Sequence, residues 1–362
     1  MTKTLRAAII GPGRIASSYD DEIPNPRPSS FFLGEHRHPG LYTILPVNHA
    51  KAYLSTPGYE LVAVAGRGQE RIDAFSQRWG VAAAYDDAEK MLEEVKPDVV
   101  SICTQSDAKA ALTIAAAKAG VRAIIVEKAM ATSAAETDAM IAACDEAGAL
   151  LVVNHPWRFT PMAREAKQRL DDGEIGVLGT VAGWSRGGML HGGTHTLDML
   201  RFYGGDITEV VAWGPVADEW TDRNADGMVR FASGITGFFA LAHDAFAGFD
   251  LRGSAGQISF STAVGDASIV RAELMEKGSK RAYPLISERS PFAEAEIALS
   301  PTQRVIAETR DALLHGGSVI SSGRDGAATL EACIAALISA KEGRAIKLPL
   351  ADADRAVVIP NR

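Results

Sequence analysis

Residues 7–16 read AAIIGPGRIA, an apolar run that ends in a turn with two glycines. Such a run predicts a buried strand, and the spacing Gly11-x-Gly13-x-x-Ala16 is typical of a strand that leads into a dinucleotide-binding helix. The first glycine makes the tight turn, the second lets the backbone approach a pyrophosphate, and the small third residue lets the helix pack closely. The residues predicted to contact a dinucleotide at this turn are Gly11, Pro12, Gly13, Arg14 and Ile15.

The first 154 residues alternate between apolar, strand-like segments and alanine-rich, helix-like segments. The predicted strands are 7–10, 60–65, 97–103, 123–126 and 150–153, and the predicted helices are 69–79, 109–119 and 133–147. Alternation of this kind, with nearly continuous apolar strands, predicts a parallel sheet with helices on both faces. We therefore predict a dinucleotide-binding domain over residues 1–154.

The pattern changes after about residue 155, where short strand-like runs follow one another. The predicted strands are 180–184, 210–213, 228–232, 235–241, 249–253, 257–261 and 268–275. Runs of this kind joined by short turns predict a mostly antiparallel sheet, and residues 326–342 predict an amphipathic helix. The predicted fold class is α/β, with a second domain over residues 155–362 whose C-terminal helix and tail can pack back on the first domain.

Residues 17–47 interrupt the alternation of the first domain with five prolines and two glycines. Proline at this density is incompatible with a regular helix, and a loop of this length inside a compact domain is uncommon and often functional. The insertion is either a surface excursion or a lid, because it leaves the sheet at the edge where ligands bind. Its candidate contacts to an acidic substrate are Arg27, His36, Arg37 and His38.

The charge balance of the chain limits the classes of partner. Its 362 residues include 37 Lys and Arg against 45 Asp and Glu, which gives a formal net charge of -8. This charge disfavours nucleic acid or an anionic membrane as the main partner, and no apolar run approaches the ~20 residues of a membrane span. We expect no signal peptide, and three scattered cysteines with no disulfide or metal-binding pattern indicate a cytoplasmic setting.

Residues 123–130 read AIIVEKAM, an apolar strand that ends in an acid and a base. Open α/β sheets bind ligands at the carboxyl ends of their strands, which makes Lys128 a candidate site residue. A charged pair at the end of a buried strand is costly unless it is paired or has a function. The alternative is a solvated Glu-Lys pair in a loop.

The end of the second predicted strand bears on the choice of dinucleotide. An acidic residue at this point would bind the ribose diol of NAD, but the chain has Gly66 followed by Arg67. Arg67 is able to pair with the 2′-phosphate of NADP, or to stack on the adenine or face solvent. The sequence therefore allows NAD or NADP and favours NADP.

A histidine-containing segment lies near the predicted domain junction, where residues 187–200 read GGMLHGGTHTLDML. His191, His195 and Asp198 have spacings that a metal site on a helix would use. However, Gly192-Gly193 predicts that His191 is not helical, and no convincing third ligand is present, so we predict no metal site. The preferred interpretation places His195 and Asp198 near the start of a helix, with the alternative that His195 is a structural, buried histidine.

Taken in order along the chain, these motifs resemble the Gfo/Idh/MocA family of NAD(P)-dependent oxidoreductases. The motifs are the glycine turn, PDVVSI at 97–102, Glu127-Lys128, Asn154 with Arg158-Phe159, GTHTLD at 193–198, and the C-terminal segments 330–331, 339–344 and 348–350. The resemblance implies an N-terminal Rossmann domain followed by an α/β domain with a large, open, mostly antiparallel sheet. Since that sheet often forms an oligomer interface, it also implies a homo-oligomer, a dimer or a tetramer.

The resemblance further implies hydride transfer between NAD or NADP and a secondary alcohol or ketone of a sugar, inositol or sugar derivative. It assigns catalytic roles to Lys128, His191 and His195. His195 is the expected proton acceptor in oxidation, since an imidazole pKa lies near neutral pH, and a buried Lys128 is the alternative base. Additional predicted cofactor contacts are Thr104, Gln105, Glu127 and Lys128. The predicted substrate contacts are Lys128, Trp157, Arg158, His191 and His195.

The chain departs from the family pattern at several of these positions. Ala129 stands where the family has the proline of Glu-Lys-Pro, and Lys109 stands where it has a histidine. Most importantly, His191 replaces the acidic residue four positions before His195. Since His191 cannot supply a counter-charge, we expect a lowered pKa for Lys128 or a changed substrate orientation.

Two other functions remain compatible with the sequence. The first is an NAD-dependent glycoside hydrolase that oxidises its sugar transiently, eliminates the aglycone and returns the hydride. The second is a non-catalytic, dinucleotide-binding sensor, although retention of both Lys128 and His195 argues against it. Net formation of NAD(P)H distinguishes a dehydrogenase from both alternatives.

Overall fold

The protein contains two β-sheets, each covered by helices. The structure is a computed structural model, and it describes residues 4–23, 45–215, 217–241, 247–261, 267–275, 283–291 and 299–360. Most of the proline-rich insertion lies outside these residues, together with the predicted contacts Arg27, His36, Arg37 and His38. Among the described residues, no helix is both long and apolar enough to cross a membrane.

The first sheet has six parallel strands in the order β3-β2-β1-β4-β5-β6. Its strands are β1 (Leu5–Ile10), β2 (Tyr59–Ala65), β3 (Ala83–Tyr85), β4 (Val99–Ile102), β5 (Ala123–Glu127) and β6 (Leu150–Asn154). The central strands are buried on both faces, as their continuous apolar runs require. This strand order is that of a doubly wound dinucleotide-binding fold, which confirms the predicted Rossmann sheet.

Local signals set the ends of the helices that cover this sheet. These helices are α1 (His49–Ser55), α2 (Gln69–Trp79), α3 (Ala88–Val95), α4 (Ser106–Lys118) and α5 (Ala134–Ala147). Gly80 ends α2 with a φ of +69°, and Ser133 forms a capping box with Glu136 at the start of α5. The glycine turn leads into a short π-helical turn (Arg14–Ser18) and a 3-10 turn (Tyr19–Glu22) rather than into a long helix.

The second sheet has nine strands in the order β14-β13-β12-β11-β7-β10-β9-β8-β15. They are β7 (Leu178–Trp184), β8 (Ile207–Trp213), β9 (Asp226–Phe231), β10 (Thr236–Ala240), β11 (Gly248–Gly253), β12 (Gly256–Ser261), β13 (Ala267–Met275), β14 (Tyr283–Pro291) and β15 (Ile346–Lys347). The β7–β10 pair is parallel and every other described pair is antiparallel. The predicted mostly antiparallel sheet is therefore confirmed.

One long helix connects the two sheets. The remaining helices are α6 (Pro161–Asp171), α7 (Thr194–Gly204), α8 (Pro301–His315), α9 (Gly323–Glu342) and α10 (Asp352–Arg355). A Cβ atom at Gly326 of α9 would lie 2.4 Å from the Val153 side chain of β6, so the helix approaches the first sheet closely. At its other end, the Ser339 hydroxyl accepts a 2.9 Å hydrogen bond from the Ala212 amide of β8.

Several elements were not predicted from the sequence. They are β3, β14, β15, α1, α3, α6, α8 and α10, together with short 3-10 and π-helical turns at Arg14–Ser18, Tyr19–Glu22, Pro156–Phe159 and Met189–Gly193. Four of these helices carry a capping side chain, for example Asp87 before α3 and Ser300 before α8. The signal for their starts was therefore present in the sequence.

Candidate active site

The order of the first sheet reverses between β1 and β4, where such sheets bind their ligands. Gly11 follows β1 at this point with a φ of +96°, and a Cβ atom there would lie 2.9 Å from the carbonyl carbon of Cys103. At Gly13, by contrast, a Cβ atom would meet no described atom within 4 Å. The turn is tight at the first glycine and open at the second, which fits the approach of a dinucleotide pyrophosphate.

The neighbouring end of β2 is shaped by contact with the glycine turn. A Cβ atom at Gly66 would lie only 2.2 Å from Cδ of Pro12, so no side chain fits at this position. Arg67, the next residue, is exposed to solvent. The absence of an acid at position 66 is thus a steric consequence of Pro12.

Thr104 and Gln105 lie at the same edge of the sheet, directly after β4. The Thr104 methyl group would be 3.0 Å from a Cβ atom at Gly11, which places it beside the glycine turn. Gln105 is the N-terminal cap residue of α4, although its side chain caps no backbone amide. Both residues therefore flank the space where the sequence predicts a cofactor.

Glu127 ends β5, and its carboxylate lies in a buried network rather than in the cleft. Its Oε1 atom is 2.9 Å from Nε2 of His49 and accepts a 2.6 Å hydrogen bond from the Asn154 amide. The other ring nitrogen of His49 is 3.0 Å from the Ser101 hydroxyl, which is 2.7 Å from the Tyr53 hydroxyl. The network joins α1 to three adjacent strands of the sheet.

The His49–Glu127 contact is a buried ion pair. Burial by itself lowers the pKa of His49, but the neighbouring Cys103 and Glu127 side chains raise it above its ordinary value. Burial opposes ionisation of Glu127 as well, yet His49, Asn154 and Lys109 hold its pKa well below its usual range. Both groups therefore stay charged at neutral pH and stabilise each other.

Lys128 follows Glu127 just beyond the carboxyl end of β5, and its side chain is half-buried. Its Nζ atom donates a 3.3 Å hydrogen bond to the carbonyl of His191. The Lys128–Ala129 peptide is cis, and Lys109 of α4 binds the carbonyls of both residues. The Lys109 Nζ atom donates to the carbonyls of Lys128 (3.2 Å) and Ala129 (2.7 Å), and Ser106 also donates to the latter (3.0 Å).

His191 lies in the π-helical turn Met189–Gly193, which leads directly into α7. The prediction that His191 is not helical was wrong, because its glycine neighbours serve close packing. A Cβ atom at Gly192 would lie 2.1 Å from the Arg186 carbonyl oxygen, and one at Gly193 would lie 2.9 Å from the Leu241 side chain. The His191 side chain is exposed, and among the described residues no group of three His, Cys, Asp or Glu side chains is arranged to hold a metal ion.

His195 lies in the first turn of α7 and packs against an aromatic wall. Its ring stacks on Trp157, with the centroids 4.5 Å apart and the planes inclined by 19°. Burial lowers the pKa of His195 well below its ordinary value, and the nearby Lys128, His155 and His191 lower it further. The imidazole is therefore neutral at physiological pH, and the structure brings Lys128, His191 and His195 together.

With this geometry in place, the comparison with known families decides the identity. The model described as "Oxidoreductase family, NAD-binding Rossmann fold" matches residues 42–155. The model of the GFO/IDH/MocA C-terminal domain matches residues 179–259, and together they span more than half of the chain. The chain belongs to the Gfo/Idh/MocA family. The resemblance inferred from its motifs is thus confirmed, although the glycine turn precedes the matched residues.

Characterised relatives of this Gfo/Idh/MocA protein act on sugars and inositols. D-apiose dehydrogenase from Paraburkholderia graminis is 28% identical over 345 residues, which is 86% of this chain and 89% of the relative. Myo-inositol 2-dehydrogenase from Thermotoga maritima is 28% identical over 249 residues, 62% of this chain and 74% of the relative. Both relatives are dehydrogenases, as their names state.

Solved structures support the fold of this family member across nearly its whole length. A levoglucosan dehydrogenase in complex with NADH and L-sorbose superimposes with a TM-score of 0.75 at 19% identity, covering 96% of this chain and all of that one. The WlbA dehydrogenase from Bordetella pertussis, in complex with NADH and UDP-GlcNAcA, gives a TM-score of 0.71 at 20% identity, covering 96% of this chain and all of that one.

Arg158, a predicted substrate contact, lies in the interior of this Gfo/Idh/MocA protein. Its Nε atom donates a 2.7 Å hydrogen bond to Asp198 of α7, and Nη1 donates a 2.7 Å bond to the Ile320 carbonyl. His155 lies 3.4 Å from the same Asp198 carboxylate. Arg158 and Asp198 therefore connect α7 to the turn after β6 and set the position of the helix that carries His195.

Three residues around the site were missed by sequence reasoning. His49 is the buried partner of Glu127, Lys109 holds the loop carbonyls, and Asp222 lies beside the turn that carries His191. The replacement of the family histidine by Lys109 was visible, but its hydrogen-bond partners were not. His49 follows the insertion and Asp222 lies in a connection between strands, so no local pattern marked either one.

Proposed function

We propose that this protein transfers a hydride between NAD(P) and a secondary alcohol or ketone of a sugar, inositol or sugar derivative. The observation that carries the proposal is the position of Lys128, whose ammonium contacts the turn that carries His191 and leads to His195. Lys128 follows β5 at the carboxyl edge of the Rossmann sheet, and the turn that it contacts continues directly into the helix that carries His195. The sugar and inositol dehydrogenases among its relatives support the substrate class.

We infer that His195 accepts the hydroxyl proton in oxidation and returns it in reduction. Its imidazole is neutral because burial and cationic neighbours lower its pKa, so it is ready to take a proton. Burial also lowers the pKa of Lys128, but the carboxylates of Glu127 and Asp222 oppose that effect. Lys128 is proposed to be the charged partner, which stabilises negative charge developing on the substrate oxygen.

The substrate is proposed to bind between His191 and Trp157, next to the two groups that handle the proton. Trp157 is half-buried and stacks on His195, which places its indole beside the groups that handle the proton. Arg158 is proposed to act indirectly, because its guanidinium is committed to Asp198 and to the backbone. Its contribution is to fix α7 rather than to touch the sugar.

The nicotinamide ring supplies or accepts the hydride when the cofactor is bound. We propose that Gly11, Gly13 and the following amides hold the pyrophosphate, with Thr104, Gln105 and the backbone at Glu127 along the dinucleotide. Arg67 is proposed to favour NADP, since it is exposed beside Gly66, where no acid can fit. In Arg67→Ala we expect the NADP-to-NAD ratio of kcat/KM to fall roughly tenfold, consistent with loss of one charged hydrogen bond.

A matched control for Arg67→Ala is Lys118→Ala. Lys118 is an exposed cation that ends α4, the helix that begins at the site edge with Ser106. An unchanged ratio in Arg67→Ala, or an equal change in Lys118→Ala, would remove the case for Arg67 as the 2′-phosphate ligand.

The protein is also proposed to form a homo-oligomer in the cytoplasm. Trp213, Met228 and Phe238 are large apolar residues exposed on three neighbouring strands of the second sheet, and such patches mark interfaces. Cys103, Cys144 and Cys333 are free and buried, which suits a reducing compartment. Light scattering of Phe238→Lys should give a smaller particle than the native protein, and an unchanged mass would contradict this interface.

The deciding experiment measures NADH and NADPH formation with a panel of D-apiose, other aldoses, inositols, anhydrosugars and acidic sugars. We expect net reduction of the cofactor by at least one member of the panel. Conversion of a glycoside without net NAD(P)H would instead indicate the oxidation-elimination hydrolase. Tight dinucleotide binding without any turnover would indicate a sensor.

A further inference from the structure

Asp222 lies in the connection between β8 and β9, where it crosses the start of the Met189–Gly193 turn. Its Oδ1 atom accepts a 2.8 Å hydrogen bond from the Leu190 amide. The next residue, Arg223, accepts a 2.8 Å bond from the Met189 amide through its carbonyl. These two bonds fix the half-buried carboxylate against the turn that carries His191.

The residue before the turn provides the room that this carboxylate occupies. A Cβ atom at Gly188 would lie 2.2 Å from Oδ2 and 2.3 Å from Cγ of Asp222, closer than real Cβ atoms come. The Gly188 backbone itself has a φ of −67° and a ψ of 164°, which any residue adopts. The glycine is therefore required by the position of Asp222 rather than by its own conformation.

Lys128 contacts the same turn as Asp222. Its Nζ atom donates to the His191 carbonyl, while Asp222 accepts from the Leu190 amide. The ammonium and the carboxylate are therefore hydrogen-bonded to consecutive residues of the turn. The two charges influence each other in both directions. Burial lowers the pKa of Lys128, which Glu127 and Asp222 raise, and burial raises the pKa of Asp222, which its backbone donors and Lys128 lower.

Among the other described groups around Lys128, four are basic and one, Glu127, is acidic. Lys109 approaches from α4 and His155 from the end of β6. His191 and His195 approach from the turn before α7 and from α7 itself, and all four interact with the Lys128 charge unfavourably. Glu127 is a carboxylate, but it is committed to His49 and Asn154. Asp222 is the carboxylate that contacts the same turn as Lys128, and it comes from an element remote in sequence.

We propose that Asp222 is a positioning residue that keeps Lys128 charged and directed at the turn carrying His191, with Gly188 reserving its space. It supplies, from the β8–β9 connection, the counter-charge that His191 cannot provide four residues before His195. The proposed effect of Asp222 on the charge of Lys128 does not depend on the reaction that the protein catalyses. The consequence for turnover rests on the proposed function.

The direct test titrates the Lys128 amine in the intact protein. Lysine labelled with 13C at Cε is incorporated, and the Lys128 signal is identified by its loss in Lys128→Met. Asp222→Asn keeps an oxygen for the Leu190 amide but removes the charge. We expect its Lys128 midpoint to fall by about one pH unit, in line with loss of a nearby opposite charge.

Asp226→Asn is the matched control. Asp226 begins β9 four residues later in the chain, and its Oδ1 atom accepts a 2.7 Å bond from the Leu241 amide in the same manner. The Lys128 midpoint should stay unchanged in this variant. A midpoint that is unchanged in Asp222→Asn, or that moves equally in Asp226→Asn, overturns the proposal.

Gly188→Ala is a second variant that does not depend on the folding of Asp222→Asn. Its backbone accepts alanine, so the expected effect is displacement of the Asp222 carboxylate and a Lys128 midpoint that falls in the same direction. A native midpoint in Gly188→Ala overturns the proposed role of Gly188 in placing this charge.

The kinetic readout is the pH profile of kcat/KM, measured with whichever sugar of the panel is turned over. The limb that reports Lys128 should move to lower pH in Asp222→Asn, by the same amount as the titration midpoint, and stay in place in Asp226→Asn. A loss of activity at all pH values without any displacement would indicate a structural role and overturn the proposal. A displaced Lys128 midpoint in a protein that turns over no sugar supports the inference and refutes the proposed function instead.

Discussion

Glu127 and Lys128 are consecutive residues, yet their side chains enter two different charged environments. The Glu127 carboxylate is buried between His49 and Asn154, with hydrogen-bond distances of 2.9 and 2.6 Å, and is 7% exposed as a residue. Lys128 is half-buried, with one 3.3 Å bond to the His191 carbonyl. The first environment is closed and its charges are satisfied, whereas the second keeps donor capacity for a ligand.

The difference shows how the end of one strand can contribute both to folding stability and to catalysis. An alternating strand sends successive side chains to opposite sides of the sheet. The side that receives Glu127 is sealed by α1, and the side that receives Lys128 faces the turn before α7. Four variants distinguish the two environments. Each variant is expected to change mainly the catalytic activity or mainly the stability of the protein.

The largest effect is expected in Lys128→Met. Loss of the charge that stabilises the substrate oxygen should lower kcat/KM roughly 10²–10³-fold. Because methionine fills a similar volume without a charge, the thermal midpoint should change little. Initial rates and a melting curve measure both quantities, with the exposed Lys118→Met as control. A decrease of only a few fold would place Lys128 outside the chemistry.

His49→Leu should instead reduce stability. It leaves the Glu127 carboxylate buried with Asn154 as its partner, and breaking a buried pair in this way costs roughly 3 kcal/mol or more. The free energy of unfolding in urea measures the loss. The double variant His49→Leu with Glu127→Gln removes both charges and should recover a large part of it. A double variant as unstable as the sum of the single variants would contradict an ion pair.

Lys109 lies between the two environments, and its ionisation should make the stability of the protein depend on pH. Burial lowers its pKa from 10.5 to about 8. Between these values the unfolded chain binds a proton that the folded protein has released, so the Lys109 contribution to stability rises with pH and is lost as the pH falls through about 8.

The comparison of the native protein with Lys109→Met isolates this contribution. The difference in unfolding free energy should move in favour of the native protein by roughly 1–2 kcal/mol between about pH 8 and 9.5. Urea titrations across this range provide the measurement. A difference that is constant with pH would mean that the amine is charged in the folded protein.

The smallest effect is expected in Trp157→Leu. The stacked indole holds the His195 ring in one orientation, and such contacts contribute about 1 kcal/mol beyond their area. We therefore expect about a fivefold decrease in kcat, since 1 kcal/mol corresponds to that factor. Trp213→Leu, on the sheet face proposed as the oligomer interface, is the control for loss of an indole. Its kcat should not change when the two variants are compared at the same oligomeric mass. Equal rates in both variants would show that stacking does not orient His195.

The sequence predicted those parts of the fold that local patterns determine. Apolar runs indicated β1, β4 and β5, and α2 was predicted with both of its ends because Gly80 marks the last turn. Lys128 was identifiable because a base at the end of an apolar strand is a strong local signal. His195 was identifiable because its segment leads into a helix with an apolar face.

The parts that were missed depend on contacts between distant residues. The pairing of His49 with Glu127 spans 78 positions along the chain, and Leu190 with Asp222 spans 32. A histidine or an aspartate in a connecting segment has no periodicity that reveals its partner. The glycines around His191 were interpreted as helix breakers, whereas in the structure Gly192 and Gly193 allow close packing.

The contact between Pro12 and Gly66 has a consequence for how this enzyme can diverge. A carboxylate at position 66 cannot appear by a single substitution while the proline ring occupies that volume. The two positions must therefore change in a fixed order, with the proline lost first. An effort to introduce a ribose-binding acid at residue 66 should begin at residue 12, since acidic substitutions at the end of β2 alone would meet the proline ring.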